Sequence, residues 1–357
     1  MSTSLTSAAV ESALASFPDP ETGRPVTTMG QVRDIRVAPG SISLTLALTT
    51  HSAPLWNETY AAAESLLRAK FPGTEVRVER AIHNRPPEKL GQIGLTAKSV
   101  IAVGSGKGGV GKSTIAASLC YGLHRAGAKC GLMDADVYGP SIPHLFGLTG
   151  QPEVENQKIK PVYKDGIPVM SMGFMVPPGE AVVWRGPMLH QAITQFLRDT
   201  NWGDLDYLII DMPPGTGDIA ITLSQLLPLT GAVVVCTPQD VALLDAVKAI
   251  SMFRKVNIPI LGMVENMSGF VCPDCNKRYD IFGRGGAQKR AADLNVPFLG
   301  DVPITIKIRE NGDAGTTGEN YDNPQAAPYL EKLCYQLVKN ISDKNTAAPP
   351  LPSLPVL

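Results

Sequence analysis

The stretch Val100-Ile101-Ala102-Val103-Gly104-Ser105-Gly106-Lys107-Gly108-Gly109-Val110-Gly111-Lys112-Ser113-Thr114 decides the fold. Four consecutive apolar residues read as a buried strand, and Gly106 to Ser113 match the phosphate-loop pattern G-x-x-x-x-G-K-S/T. The periodicity after the loop predicts a helix from Lys112 to about Arg125. Glycines let successive backbone N–H groups turn toward one anion, and the helix N-terminus adds its dipole. The pattern assigns Lys112 to the β- and γ-phosphates of a nucleotide and the Ser113 hydroxyl to Mg²⁺, with Gly106, Gly108, Gly109, Val110, Gly111 and Thr114 completing the cradle.

Further apolar runs follow at Cys130 to Met133, Tyr207 to Ile210, Ala232 to Cys236 and Ile260 to Val264, with helical segments between them. Continuous apolar strands alternating with helices predict an α/β fold, a doubly wound, mostly parallel sheet covered on both faces. Ligands of such sheets sit at the carboxyl ends of the strands. Asp211, Asp134 and Asp136 close two of these runs, and Asp211 is the natural residue to hold Mg²⁺ directly or through water. The Pro213 to Asp218 stretch reads as a stiff loop hinged on glycines, suited to sensing a γ-phosphate.

Ahead of this region, Ser41 to Thr49 alternates polar and apolar, with Ile42, Leu44, Leu46 and Leu48 on one side. Helices near Leu5 to Ala15 and Leu55 to Ala69, and strands near Val32 to Val37 and Thr74 to Arg80, complete a small α+β unit over residues 1–82. His51 and His83 read as surface residues. Residues 83–98 read as a linker, 99–342 as the phosphate-loop domain, and 343–357, with four prolines, as a disordered tail.

The 357 residues suit two domains. With 32 Lys+Arg against 33 Asp+Glu, the balance excludes a bulk basic footprint for nucleic acid. No run of 18 apolar residues occurs and the start lacks a basic signal region, so the expected location is cytoplasmic, with no membrane partner. Of six cysteines, Cys120, Cys130, Cys236 and Cys334 sit singly in apolar stretches and read as buried hydrophobes. Cys272-Pro273-Asp274-Cys275 differs, because Cys-x-x-Cys sets two thiolates on one metal. Two ligands do not fill a tetrahedral site, so a Cys₄ site needs a pair from each of two copies of the chain. Spacing alone leaves an iron-sulfur cluster, a structural zinc and a redox dithiol open.

Several motifs carry a resemblance. The loop GKGGVGKST, with its extra Lys107, resembles the deviant Walker A loop of the superclass of MinD, ParA, ArsA and the nitrogenase iron protein. That resemblance implies a homodimer sandwiching two nucleotides, with Lys107 reaching the nucleotide of the other subunit, Asp136 orienting the attacking water and Asn266 recognising adenine. With MDADVYGPSIPHLFG (133–147), WRGPM (184–188), DYLIIDMPPGTGD (206–218), ENMSGFVCPDC (265–275) and IFGRGG (281–286), the chain from about Ser99 to Asn340 resembles the Mrp/ApbC iron-sulfur carrier ATPases. The resemblance implies a slow ATPase that binds a 4Fe-4S cluster at the dimer interface through Cys272 and Cys275, takes it from an assembly scaffold and passes it to apo-proteins. It also implies that the Gly300 to Pro303 loop lines the base. The first 82 residues, with Asp19-Pro20, resemble the small iron-sulfur assembly domain fused to such proteins, but Thr50-His51-Ser52-Ala53-Pro54 lacks the cysteine many relatives carry there. The alternative is a MinD/ParA-like positioning ATPase with zinc at the dimer interface. A Pro-rich tail cannot supply the amphipathic helix such proteins use on membranes.

Overall fold

The computed structural model describes residues 5–137, 139–175, 186–215, 217–275 and 277–347. Tyr138, Trp184, Arg185 and Thr216 of the motifs above, and the Pro-rich tail from residue 348, lie outside the described residues.

The chain divides into two compact units, one of residues up to Pro86 together with those from Val338 onward, the other Pro87–Leu337. In the small unit, α1 (Ser7–Ala13), β1 (Val32–Ala38), β2 (Ser41–Leu48), α2 (Trp56–Lys70) and β3 (Glu75–Ile82) follow in order. β2 pairs antiparallel with β1 and parallel with β3. Ile42, Leu44, Leu46 and Leu48 all point into its core, against Tyr60, Ala63 and Leu67 of α2. His51, expected at the surface, is buried in the short turn of 3-10 helix Thr50–Leu55 before α2.

The large unit opens with β4 (Lys89–Leu90), β5 (Leu95–Gly104), α3 (Lys112–Arg125), β6 (Cys130–Asp134) and α4 (Ile142–Leu145). Short strands β7 (Glu153–Glu155), β8 (Lys158–Lys160) and β9 (Val162–Lys164) lead to β10 (Ile167–Ser171), α5 (Gly186–Asp199), β11 (Leu205–Asp211), α6 (Gly217–Leu226), β12 (Gly231–Cys236) and α7 (Asp240–Lys255). The last part holds β13 (Ile260–Val271), β14 (Arg278–Tyr279), α8 (Gly286–Asp293), β15 (Phe298–Ile304), α9 (Ile306–Ala314) and the first half of α10 (Ala327–Ala347), whose residues from Val338 belong to the small unit. A parallel ladder runs β15-β13-β12-β5-β11-β6-β10, with β4, β9 and β14 antiparallel on it. β11 and β12 are buried at every residue and β5 from Ser99 onward, which is why they read as continuous apolar runs. Among the described residues, no helix is long and apolar enough to cross a membrane.

Three boundaries differ from expectation. The span 83–98 contains β4 and the start of β5, because Leu90 and Ile93 pack on the large core and Leu95 and Ala97 are buried in it. Residues 343–347 are helical rather than disordered: α10 carries on past buried Ile341 and Ser342, and the Asn345 amide donates to the Glu21 carbonyl at 2.7 Å. β13 runs on to Val271 instead of stopping at Val264, since its far end pairs with both β14 and β15.

Candidate functional site

β11 lies between β5 and β6, and Asp211 is level with Val103 on one side and Asp134 on the other. The ends of three strands therefore stand in a row under the phosphate loop. Lys112, the first residue of α3, is buried, and its Nζ lies 2.6 Å from Asp211 Oδ1, 3.7 Å from Asp136 Oδ2 and 3.1 Å from Ser113 Oγ. Burial pushes the fully enclosed Asp211 carboxyl up, while the Lys112 ammonium pulls it back. Its second oxygen, Oδ2, is buried with no hydrogen-bond partner. A buried carboxylate oxygen left unmatched beside a hydroxyl is the donor set that a hydrated Mg²⁺ takes, so Ser113 and Asp211 fit the ion.

The two strand-end aspartates of β6 divide their work. Asp134 is fully buried and accepts from the Asp136 N–H at 3.0 Å, the Ile142 N–H at 3.2 Å and the Ser171 hydroxyl at 3.0 Å, so it shapes the loop. Burial first, and then the charge of Asp211, push its carboxyl up to about 8. Asp136 faces Lys112 and accepts from the Gly139 N–H at 3.3 Å.

Along the loop, Lys107, Gly108 and Gly109 are exposed, Gly106 is half-buried and Val110 is buried. The Ser105 hydroxyl donates to the Lys107 carbonyl at 2.9 Å, and the Gly215 N–H to the Ser105 carbonyl at 3.0 Å, which ties the Pro213-Pro214-Gly215 turn to the loop. Gly111 has φ +78°, and a Cβ there would stand 2.2 Å from Asn266 Nδ2. Only glycine fits, because the Asn266 amide donates across this gap to the Val110 carbonyl at 2.9 Å.

Beside Gly111 opens a cavity of about 390 Å³, lined among others by Thr114, Asn266, Met267, Val302 and Pro303. That is the size range of small-ligand pockets. Gly300 to Pro303, expected as a loop, belong to β15, which pairs with β13 through Asn266 and Val302; the pairing of parallel strands holds both walls.

Cys272 and Cys275 sit in the turn between β13 and β14, Cys272 half-buried and Cys275 exposed. The Cys272 N–H donates to the Lys277 carbonyl at 3.0 Å. Backbone N–H groups of Cys275 and then Asp274, with the Cys275 thiol, hold the Cys272 thiol below its ordinary value. That favours the thiolate form that ligates metals. Among the described residues no group of three or more His, Cys, Asp or Glu side chains could hold a metal. The other four cysteines are buried, and burial pushes Cys236 and Cys334 up to about 12.

Sequence reasoning passed over Glu265, which ends the apolar run of β13. Its buried carboxylate accepts from the Ser268 hydroxyl and from the Gly285 and Ala287 N–H groups, each at 2.7 Å, and so anchors the start of α8. A carboxylate inside an otherwise apolar strand was the available signal. Arg278, which bonds Ser268 and Asp301, carried none.

The family model described as NUBPL iron-transfer P-loop NTPase matches residues 96–339, and that of the iron-sulfur cluster assembly protein matches 7–79. An iron-sulfur cluster carrier protein of Deinococcus radiodurans is 44% identical over 350 residues, covering 97% of this chain and 98% of its own. The iron-sulfur cluster transfer protein NUBPL of Dictyostelium discoideum is 45% identical over 285 residues, covering 78% and 87%. Among solved structures, the nucleotide-binding protein of Archaeoglobus fulgidus in complex with ADP is 40% identical with a TM-score of 0.57, over 64% of this chain and 90% of that one. The cell division ATPase MinD of Pyrococcus furiosus, 23% identical with a TM-score of 0.50 over 67% and 97%, shares the fold. The phosphate loop, the aspartates gathered under it and these matches together place the chain in the NUBPL iron-transfer P-loop NTPase family.

Proposed function

We propose that the protein is an iron-sulfur cluster carrier that holds a 4Fe-4S cluster, its cargo, between two copies of the chain and hands it to apo-proteins under the control of ATP binding and hydrolysis. One observation carries this reading: β13 brings Asn266 to the cavity beside the phosphate loop and ends, five residues on, at Val271, directly before Cys272. The relatives' names as cluster carriers and transfer proteins support it.

In this reading the backbone of Gly106 to Thr114 cradles the phosphates, and Lys112 moves from Asp211 to the β- and γ-phosphates. Mg²⁺, held by Ser113 and Asp211, supplies charge neutralisation between the phosphates. Asp136 orients the attacking water, Asn266 pairs its amide with adenine, and exposed Lys107 reaches the nucleotide of the partner copy. Cys272 and Cys275 from each copy ligate the cluster. The small unit, which takes in residues up to Pro86, carries no cysteine of its own, so in this reading the cluster ligands come from the ATPase unit alone.

The test is anaerobic reconstitution with iron and sulfide, followed by metal analysis of the wild type beside Cys272→Ala and Cys275→Ala. One cluster per two chains in the wild type and none in either variant, with ATP binding kept, is the expected result. Stoichiometric zinc without sulfide overturns the cluster reading in favour of a structural metal, and one cluster per chain overturns the shared site.

A further inference from the structure

Arg278 opens β14 just after the turn that carries the cysteines, paired with Val271 in the β13–β14 ladder and one residue beyond Lys277, whose carbonyl receives the Cys272 N–H. Its guanidinium reaches back past the turn. Nη2 donates to the Ser268 carbonyl, to Ser268 Oγ at 3.2 Å and to Asp301 Oδ2 at 3.2 Å. Ser268 directly follows Asn266 and Met267, and Asp301 directly precedes Val302 and Pro303; these four residues, on two strands paired side by side, are among those lining the cavity beside Gly111. One side chain, 22% exposed, thus joins the cysteine turn to both of the strands that contribute to the cavity lining.

The segment it grips is irregular. The β13–β15 register shifts between Asn266 and Phe270, and Met267 adopts φ +58° and Gly269 φ +76°. A Cβ on Gly269 would stand 2.8 Å from both Arg278 Nε and Asp280 Oδ1, so the Arg278–Asp280 pair is laid directly on the bulge. From the other side, Glu265 takes the Ser268 hydroxyl while holding the start of α8. A bulge re-aims the strand beyond it. Here the strand beyond it is the one that ends at Val271 and leads directly into Cys272.

We infer that Arg278 is a positioning residue that couples base occupancy of the cavity to the conformation of the Cys272–Cys275 turn. The inference rests on the nucleotide reading of the cavity. A base pressing on Asn266, Met267, Val302 or Pro303 displaces Ser268 and Asp301 relative to each other, and the one guanidinium nitrogen bound to both, Nη2, transmits that displacement to the turn. By linkage the effect is reciprocal, so that a metal on the cysteines alters nucleotide affinity by the same factor.

The experiment uses the full-length, metal-free chain and reads iodoacetamide alkylation of Cys272 and Cys275 by peptide mass spectrometry, with and without saturating Mg-ADP. In the wild type ADP is expected to change the Cys272 rate by about fivefold, the lower end of ordinary coupling factors. Arg278→Ala should still bind ADP but show equal rates with and without it, and Arg278→Lys, which keeps one cationic donor and loses the second nitrogen that reaches Asp280, should retain part of the effect. If Arg278→Ala does not fold, Asp301→Asn cuts one arm alone and should reduce the ratio. A wild-type rate indifferent to ADP overturns the coupling. So does a variant whose rates rise by one common factor, leaving the ratio intact, because that is the mark of a structural prop or of protection at a dimer interface. Absence of ADP binding to the wild type, or binding that survives Lys112→Ala undiminished, overturns the nucleotide reading and the inference with it.

Discussion

At Lys112 a single ammonium faces Asp211 and Asp136 with almost no exposure to water. Lys112→Ala is expected to abolish ATP hydrolysis and, by leaving Asp211 without its counter-charge, to lower stability by about 1–3 kcal/mol, checked by phosphate release and thermal unfolding. Asp136→Asn should slow hydrolysis and keep ATP binding, since Lys112 retains Asp211; loss of binding as well would make Asp136 part of the cradle. Asp134 gives a prediction in pH. Its carboxyl is pushed up to about 8 by burial and then by Asp211, so the folded state holds a proton that the unfolded chain has already released above the ordinary carboxylate range. Stability from this group is therefore complete in acid, is lost as pH rises toward about 8, and is flat beyond. Asp134→Asn should flatten that decline, read as a melting temperature whose difference from wild type moves in the variant's favour between the ordinary carboxylate range and pH of about 8. An unchanged slope would show that the proton sits elsewhere.

Among the elements, the join between the phosphate loop and α3 has the least tolerance. Gly111→Ala forces a left-handed residue to carry a Cβ into the Asn266 amide. The backbone strain alone costs roughly 1–2 kcal/mol. Nucleotide affinity should fall about tenfold or more, one decade for each 1.4 kcal/mol lost, measured by titration calorimetry. Asn266→Ala removes the collision, so the double variant should recover part of the stability and none of the base contact. The helix from Lys112 to Arg125 and the alternating strand at Ser41 are local patterns and read directly from the residues. The far half of β13 does not, because Asn266, Ser268 and Gly269 are turn formers, and only pairing with β14 and β15 keeps them in a strand.

For the whole molecule, the proposed carrier is complete only as two chains. Binding of a metal centre through four thiolates can contribute on the order of 10 kcal/mol, so cluster loading should move the protein from monomer to dimer in analytical ultracentrifugation, and Cys275→Ala should stay monomeric at the same concentration. Mixing Lys107→Ala chains with Lys112→Ala chains should yield heterodimers with one impaired and one partly competent site. Activity no higher than the sum of the separate variants would place Lys107 in its own subunit's site.

The sequence by itself determined the phosphate loop, the parallel α/β sheet and the cysteine pair, since each depends on residues close together in the chain: glycine spacing, apolar runs and Cys-x-x-Cys. It also determined which strand-end carboxylates were available. Only the tertiary structure decided their division of labour, because β11 inserts between β5 and β6 and thereby sets Asp211 against Lys112 while Asp134 turns to the Ile142 and Ser171 groups. The last turns of α10 were not legible either, as Asn345 is held by a residue more than three hundred positions away. Nor was Arg278, whose partners Ser268 and Asp301 come beside it through strand pairing, and pairing between distant segments leaves no period in the residues that undergo it.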